Sequence, residues 1–132
     1  AAEAALAEDD SFQALALENA PVDPPTERLD LADIRNSLKS LNWRAAGVRR
    51  DGDALGQALE TIDGWCRYAL ARQLADPTGW ELQNMLTISR LMIESALRRE
   101  ESRGVHTRTD FPATNDDVWR RRIRLSRGDS HD

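Results

Sequence analysis

The chain has 132 residues, 40% of them hydrophobic and 31% charged, with a formal net charge of −5. That is the size of one domain, with enough apolar material for a core that needs no disulfide or metal. The acidic balance speaks against bulk nucleic-acid binding. The single Cys66 excludes an internal disulfide and fits a reducing compartment. No apolar run approaches the about 18 residues that cross a bilayer, and no basic-then-apolar signal segment opens the chain, so a cytoplasmic location without membrane contact is expected.

In chain order, Ala1 to Glu8 read as a helix already under way, which suggests a piece of a longer protein. Residues 1–25 are therefore expected to be a helix end and a linker closing in Pro21-Val22-Asp23-Pro24-Pro25. Proline there removes donors and fixes φ, so no helix runs through. A first helix is predicted from Thr26 or Asp30 to about Ala46, because Ile34, Leu38, Leu41, Ala45 and Val48 recur every three or four residues on one stripe. Gly47 should stop it, and Asp51 or Asp53 should cap the next helix.

The second helix carries Leu55, Leu59, Ile62, Cys66, Ala69 and Leu70 on one side and is expected to reach about Ala75, where Asp76-Pro77 breaks it. A capping box at Thr78-Gly79-Trp80-Glu81 then opens a third helix with the stripe Leu82, Met85, Leu86, Ser89, Met92, Ile93, Ala96 and Leu97, ending at Gly104. Met85 and Met92 read as core filler. Trp43, Trp65 and Trp80 read as bundle or interface aromatics; one that faces a missing domain would be exposed. No strand pattern occurs. The predicted fold is all-α: an up-down-up three-helix bundle over 26–104 and an extended C-terminal tail over 105–132. Asp116-Asp117-Val118-Trp119 could form one helical turn in that tail, whose last residues should be disordered.

Several features have plain structural readings. His106, His131 and Cys66 lack ligand spacing, so no metal is expected. Arg120-Arg121-Arg122 fits a solvated tail better than a nucleic-acid patch. Glu100 and Glu101 close a helix whose end prefers cations. Either they form a solvated charged end beside Arg98, Arg99 and Arg103, or one of them grips a tail arginine in bidentate fashion.

The segment Glu101-Ser102-Arg103-Gly104-Val105-His106-Thr107-Arg108-Thr109-Asp110-Phe111-Pro112 resembles the E-S-R-G-x-H-x-R-x-D-[FY]-P stretch near the C-terminus of the succinate dehydrogenase, fumarate reductase and L-aspartate oxidase flavoproteins. Glu81 to Leu86, Ala96 to Glu100 and the turn Ala46-Gly47-Val48-Arg49-Arg50-Asp51 resemble the L-aspartate oxidase branch. The Ala-rich opening is similar to the end of the last flavin-domain helix.

This resemblance implies the C-terminal helical domain of an FAD-dependent parent enzyme. The parent would oxidise L-aspartate to iminoaspartate for NAD biosynthesis, with quinolinate synthase taking the product. The domain itself would pack on the flavin-binding domain. With no G-x-G-x-x-G turn and no match to the upstream substrate-binding His and Arg, this chain is expected to hold no flavin and no complete active site. Glu101, Arg103, His106, Arg108 and Asp110 are the candidate domain-anchoring or active-site-proximal residues. With the flavin domain missing, the tail is expected to be loose or held by a second copy through the exposed interface. The alternatives are a succinate dehydrogenase or fumarate reductase flavoprotein subunit, which shares the Asp116-Asp117-x-Trp119 pattern, and a free-standing helical interaction module.

Overall fold

The computed structural model describes residues 30–71, 74 and 76–125. The expectations for residues 1–25, for a helix start at Thr26 and for the last residues of the tail lie outside that range. Three helices carry the fold: α1 (Leu31–Ala45), α2 (Gly52–Ala69) and α3 (Pro77–Arg98). Two-residue strands β1 (Arg49–Arg50) and β2 (Thr107–Arg108) and one short turn of helix, α4 (Asp116–Trp119), complete it.

Each of the three long helices starts at an aspartate that satisfies otherwise unpaired amides. Asp30 accepts from the amides of Ala32 and Asp33, and Asp51 accepts from those of Asp53 and Ala54. For α3 the cap is Asp76, not Thr78: its carboxylate accepts from the Gly79 amide at 2.9 Å, with Pro77 at the first helical position. Proline at that position has no amide to leave unpaired and has a helical φ already. Asp76-Pro77 therefore starts a helix where a break was expected. Glu81, freed from any capping box, pairs with Arg35 of α1 at 2.8 Å.

Two helices are shorter than their periodicity suggested. The second ends at Ala69, with Leu70 as its cap, rather than near Ala75. There the Gln83 side-chain amide of α3 donates to the Ala69 carbonyl at 2.9 Å. The third ends at Arg98 rather than Gly104, because Arg99 turns to an extended backbone. The last carbonyls of α3 are taken up by a side chain from the tail, described below.

The core runs through all three helices: Ile34, Leu38 and Ala45 of α1, Leu55, Ala58, Ile62, Cys66 and Ala69 of α2, and Leu82, Leu86, Ile93 and Ala96 of α3 are buried together. The larger buried side chains each contribute roughly 1.5–3 kcal/mol. Met85 packs against this core, but Met92 is 40% exposed and does not fill it. Val48 lies past the end of α1 and is exposed, as are Trp43 and Trp80, whereas Trp65 packs against the core.

Residues 99–125 are tied to the bundle by defined contacts. β2 runs parallel to β1, pairing Arg49 with Thr107 and Arg50 with Arg108, and the Thr109 amide extends the ladder to the Arg50 carbonyl at 2.8 Å. Arg103 and His106 bond each other's backbone across a turn in which Gly104 has φ +58°, a conformation that glycine adopts without steric cost. The expectation of a mobile or copy-held tail rested on its scarcity of apolar groups. Polar bonds to the bundle's own helix ends replace that missing burial.

Candidate functional site

The ends of the three helices converge where the tail crosses them, and the crossing is built from arginines. Helix C-termini present unpaired carbonyls with partial negative charge, and helix N-termini present unpaired amides with partial positive charge. Arg108, 2% exposed, sits between one of each. Its Nη1 donates to the carbonyls of Ala96 and Leu97, both at 2.9 Å, and of Arg99 at 3.3 Å. Its Nε and Nη2 grip Asp110 in a fork at 2.8 and 2.6 Å.

Asp110 in turn accepts from the amide of Gly52, at the start of α2, at 3.1 Å. One ion pair thus joins the C-terminus of α3 to the N-terminus of α2, with the favourable sign at both ends. The Asp110 carboxyl is held down to about 2, chiefly by the hydrogen bonds from Arg108. Gly52 makes the approach possible: a Cβ there would lie 2.7 Å from Asp110 Oδ2 and 3.0 Å from Arg108 Nη2.

Glu101 is the second node, and it is fully buried. Oε1 accepts from Arg99 Nη1 at 2.7 Å and Arg103 Nε at 2.9 Å; Oε2 accepts from Arg103 Nη2 at 3.1 Å and the Asn115 amide at 2.9 Å. A buried carboxylate is tolerated only when paired and hydrogen-bonded in this way. The Arg103 guanidinium holds its pKa down to about 2, against the opposing effect of burial. Arg103 also reaches Asp116 at the start of α4, and Arg99 donates to the carbonyls of Trp119 at 2.9 Å and Arg121 at 2.6 Å. Ser102 completes the node: its hydroxyl accepts from the Arg108 amide at 2.9 Å and donates to the Phe111 carbonyl at 2.8 Å.

His106 is the third. Arg50 Nη1 lies 2.7 Å from Nδ1, and the Arg99 carbonyl lies 3.2 Å from Nε2. An arginine only donates and a carbonyl only accepts, so Nδ1 is unprotonated and Nε2 carries the hydrogen. Burial pushes the pKa of His106 down, against the hydrogen bond to the Arg99 carbonyl, which raises it, and the charges of Arg50, Arg108 and Arg99 push it down further. Arg50 Nε also donates to the carbonyls of Ala46 and Gly47, both at 3.2 Å, closing the end of α1.

All five sequence candidates, Glu101, Arg103, His106, Arg108 and Asp110, therefore fall in one continuous junction. Of the two glutamates, Glu101 is the gripping one and Glu100 is exposed. Arg99, expected beside the two glutamates, pairs with Glu101, whereas sequence reasoning missed Arg50, Gly52 and Asn115 as members. Arg50 and Gly52 lie beside the Asp51 cap, but no local rule ties them to residues over fifty positions away. Among the described residues no group of His, Cys, Asp and Glu could hold a metal ion, and no helix is long and apolar enough to cross a membrane.

The junction lies inside a recognisable family segment. Residues 35–131 match the profile described as fumarate reductase flavoprotein C-term. Similar proteins include an L-aspartate oxidase of Streptomyces coelicolor, 33% identical across 78% of this chain and 18% of that protein. A fumarate reductase flavoprotein subunit of Mycobacterium tuberculosis is 38% identical across 66% of this chain and 16% of that protein. An L-aspartate oxidase of Rhodospirillum rubrum is 40% identical across 72% and 30%. In three dimensions, Mycobacterium smegmatis Sdh1, solved in complex with UQ1, superposes with a TM-score of 0.59 at 28% identity, over 73% of this chain and 17% of Sdh1. The chain spans less than a third of the length of each of these relatives.

Proposed function

The chain belongs to the fumarate reductase flavoprotein C-terminal domain family, and from that premise we propose that it is the helical domain of an FAD-dependent L-aspartate oxidase. In this reading the parent oxidises L-aspartate to iminoaspartate for NAD biosynthesis in the cytoplasm, and quinolinate synthase is the consumer of the product. Residues 1–25 lead out of the flavin domain, 26–104 form the bundle and 105–132 the tail. The observation that carries the reading is the similarity to L-aspartate oxidases of 33% and 40% identity, each matching only part of the relative's length. A second reading, a fumarate reductase or succinate dehydrogenase flavoprotein subunit, is favoured by the 38% identity to the Mycobacterium tuberculosis subunit and by the Sdh1 superposition.

FAD would supply the hydride-accepting chemistry in the parent. The residues described here do not fit it. Among the described residues the one left-handed glycine, Gly104, sits in a turn between Arg103 and His106, not between a strand and a helix where a dinucleotide phosphate binds. Arg103 and Arg108 give their donors to Glu101, Asp116, Asp110 and helix carbonyls. The part assigned to this chain is structural: the junction gives the domain a fixed face, and the exposed Trp43, Val48 and Val105 around a hollow of about 710 Å³ suit packing on the flavin domain.

The test is an assay of the flavin-loaded parent protein. L-aspartate-dependent bleaching of the flavin, with iminoaspartate formed, is expected. Bleaching by succinate with none by L-aspartate would transfer the assignment to the second reading. A yellow 132-residue chain with stoichiometric flavin would overturn the division of labour altogether.

A further inference from the structure

A cleft of about 430 Å³ opens where the end of α3, β1 and the segment after α4 meet, and its walls include Arg50, Arg99, Arg122, His106, Met92 and Ile123. Among the described residues no carboxylate lines it. That is unusual for this molecule, whose net charge is −5 and whose other junction arginines are matched: Arg103 with Glu101 and Asp116, Arg108 with Asp110. Arg99 shares Glu101 with Arg103, whereas among the described residues neither Arg50 nor Arg122 meets an acid.

The geometry points to a binding site for an aliphatic carboxylate in this cleft, with Arg50, Arg99 and Arg122 supplying positive charge and Met92 and Ile123 an apolar wall for the methylenes. Two of the cations are already fixed in place. Arg50 is held by the Ala46 and Gly47 carbonyls and by His106, and Arg99 by Glu101 and the Trp119 and Arg121 carbonyls. Little side-chain freedom remains to be lost on binding. Burial pushes the Arg50 pKa down, and no acid among the described residues opposes it. His106 faces Arg50 from β1, Arg99 from the end of α3, Arg108 from β2 and Arg103 across the turn, and the acid nearest to these in the hydrogen-bond network, Glu101, is already bound by Arg99 and Arg103.

The carboxylate could be a small free acid or an acidic side chain of another protein segment; the recognition chemistry is the same. The His106 ring reports on both. Nuclear magnetic resonance of the chain is followed during titration with glutarate and, separately, with a blocked peptide carrying two aspartates, against sodium chloride at equal ionic strength. The expected result is a saturable change in the His106 ring signals and a rise in the pH at which the ring titrates. Tighter glutarate binding assigns the site to a free acid, and tighter peptide binding to a protein one. Arg122→Ala, which removes an exposed and unpaired group, should weaken binding about tenfold, the equivalent of one charge-assisted hydrogen bond. Arg50→Lys, which keeps the charge and loses the fork, should weaken it as well. Changes no larger than those in sodium chloride, or an affinity unchanged from that of the unsubstituted chain in both variants, would overturn the proposal.

Discussion

At the scale of single residues, the most constrained positions are those where a helix end meets a charged group. Gly52 is the sharpest case. In an exposed helix, Gly→Ala gains up to about 1 kcal/mol. Here the added methyl would displace a carboxylate that Arg108 holds by two bonds. Gly52→Ala should therefore destabilise the chain by about 1–2 kcal/mol, against the propensity trend, in urea denaturation. A stabilised variant would mean that Asp110 yields freely and does not tie α2 to the tail.

Glu101 gives a pH dependence whose direction follows from its environment. Its folded-state pKa of about 2 lies below its usual 4.5, so it contributes stability that is complete above about 4.5 and lost as the pH falls toward 2. Asp110, also at about 2 in place of 3.8, acts with the same sign in nearly the same window. The denaturation midpoint of the chain should fall steeply between pH 4.5 and 2. Glu101→Gln should be less stable at neutral pH, where it removes the anion that Arg103 and Arg99 share, and should lose less on acidification. Parallel pH profiles for the two proteins would contradict the account of this carboxylate.

At the scale of elements, the two possible caps of α3 make different demands. With Asp76 as the cap, Asp76→Ala should cost about 1 kcal/mol and Thr78→Ala under about 0.5 kcal/mol in thermal or urea denaturation. The reverse order would restore the capping box at Thr78. The same element shows what sequence can and cannot reveal. The stripes of α1, α2 and α3 were legible because they depend on neighbours within four residues, and the starts were legible to within two alternatives each, Thr26 or Asp30 and Asp51 or Asp53, of which the structure takes Asp30 and Asp51. The ends of α2 and α3 were not, because Gln83 and Arg108 close them from outside the helix. Periodicity alone therefore ran α2 on to Ala75 and α3 on to Gly104. The site was legible as a set, Glu101 through Asp110, through its family-like pattern. Its geometry was not: Arg50–His106 and Gly52–Asp110 span 56 and 58 positions in the chain.

At the scale of the whole molecule, hydrogen bonds and ion pairs join the crossing segment to the three helices. Ordering the backbone costs about 1–2 kcal/mol per residue, more than the few apolar side chains after Gly104 can offset. The balance is made up by bonds from Arg108, Glu101 and Arg50 to groups that the helices must satisfy in any case. The tail thus completes the bundle, and the exposed Trp43, Val48 and Val105 remain for an outside partner. A single thermal transition, coincident by far-ultraviolet circular dichroism and tryptophan fluorescence, is expected. Two separated transitions would divide the tail from the helices.

The most direct test is native-state amide hydrogen exchange on a confirmed monomer of the chain. The amides of Arg103, His106, Arg108 and Thr109 are bonded to His106 and Arg103 carbonyls, the Ser102 hydroxyl and the Arg50 carbonyl. They should exchange with protection approaching that of the buried α2 and α3 amides, and lose it together in Arg108→Ala. Exchange of these four amides at unprotected rates, with the helices still protected, would contradict the claim that the crossing segment is an integral part of this domain.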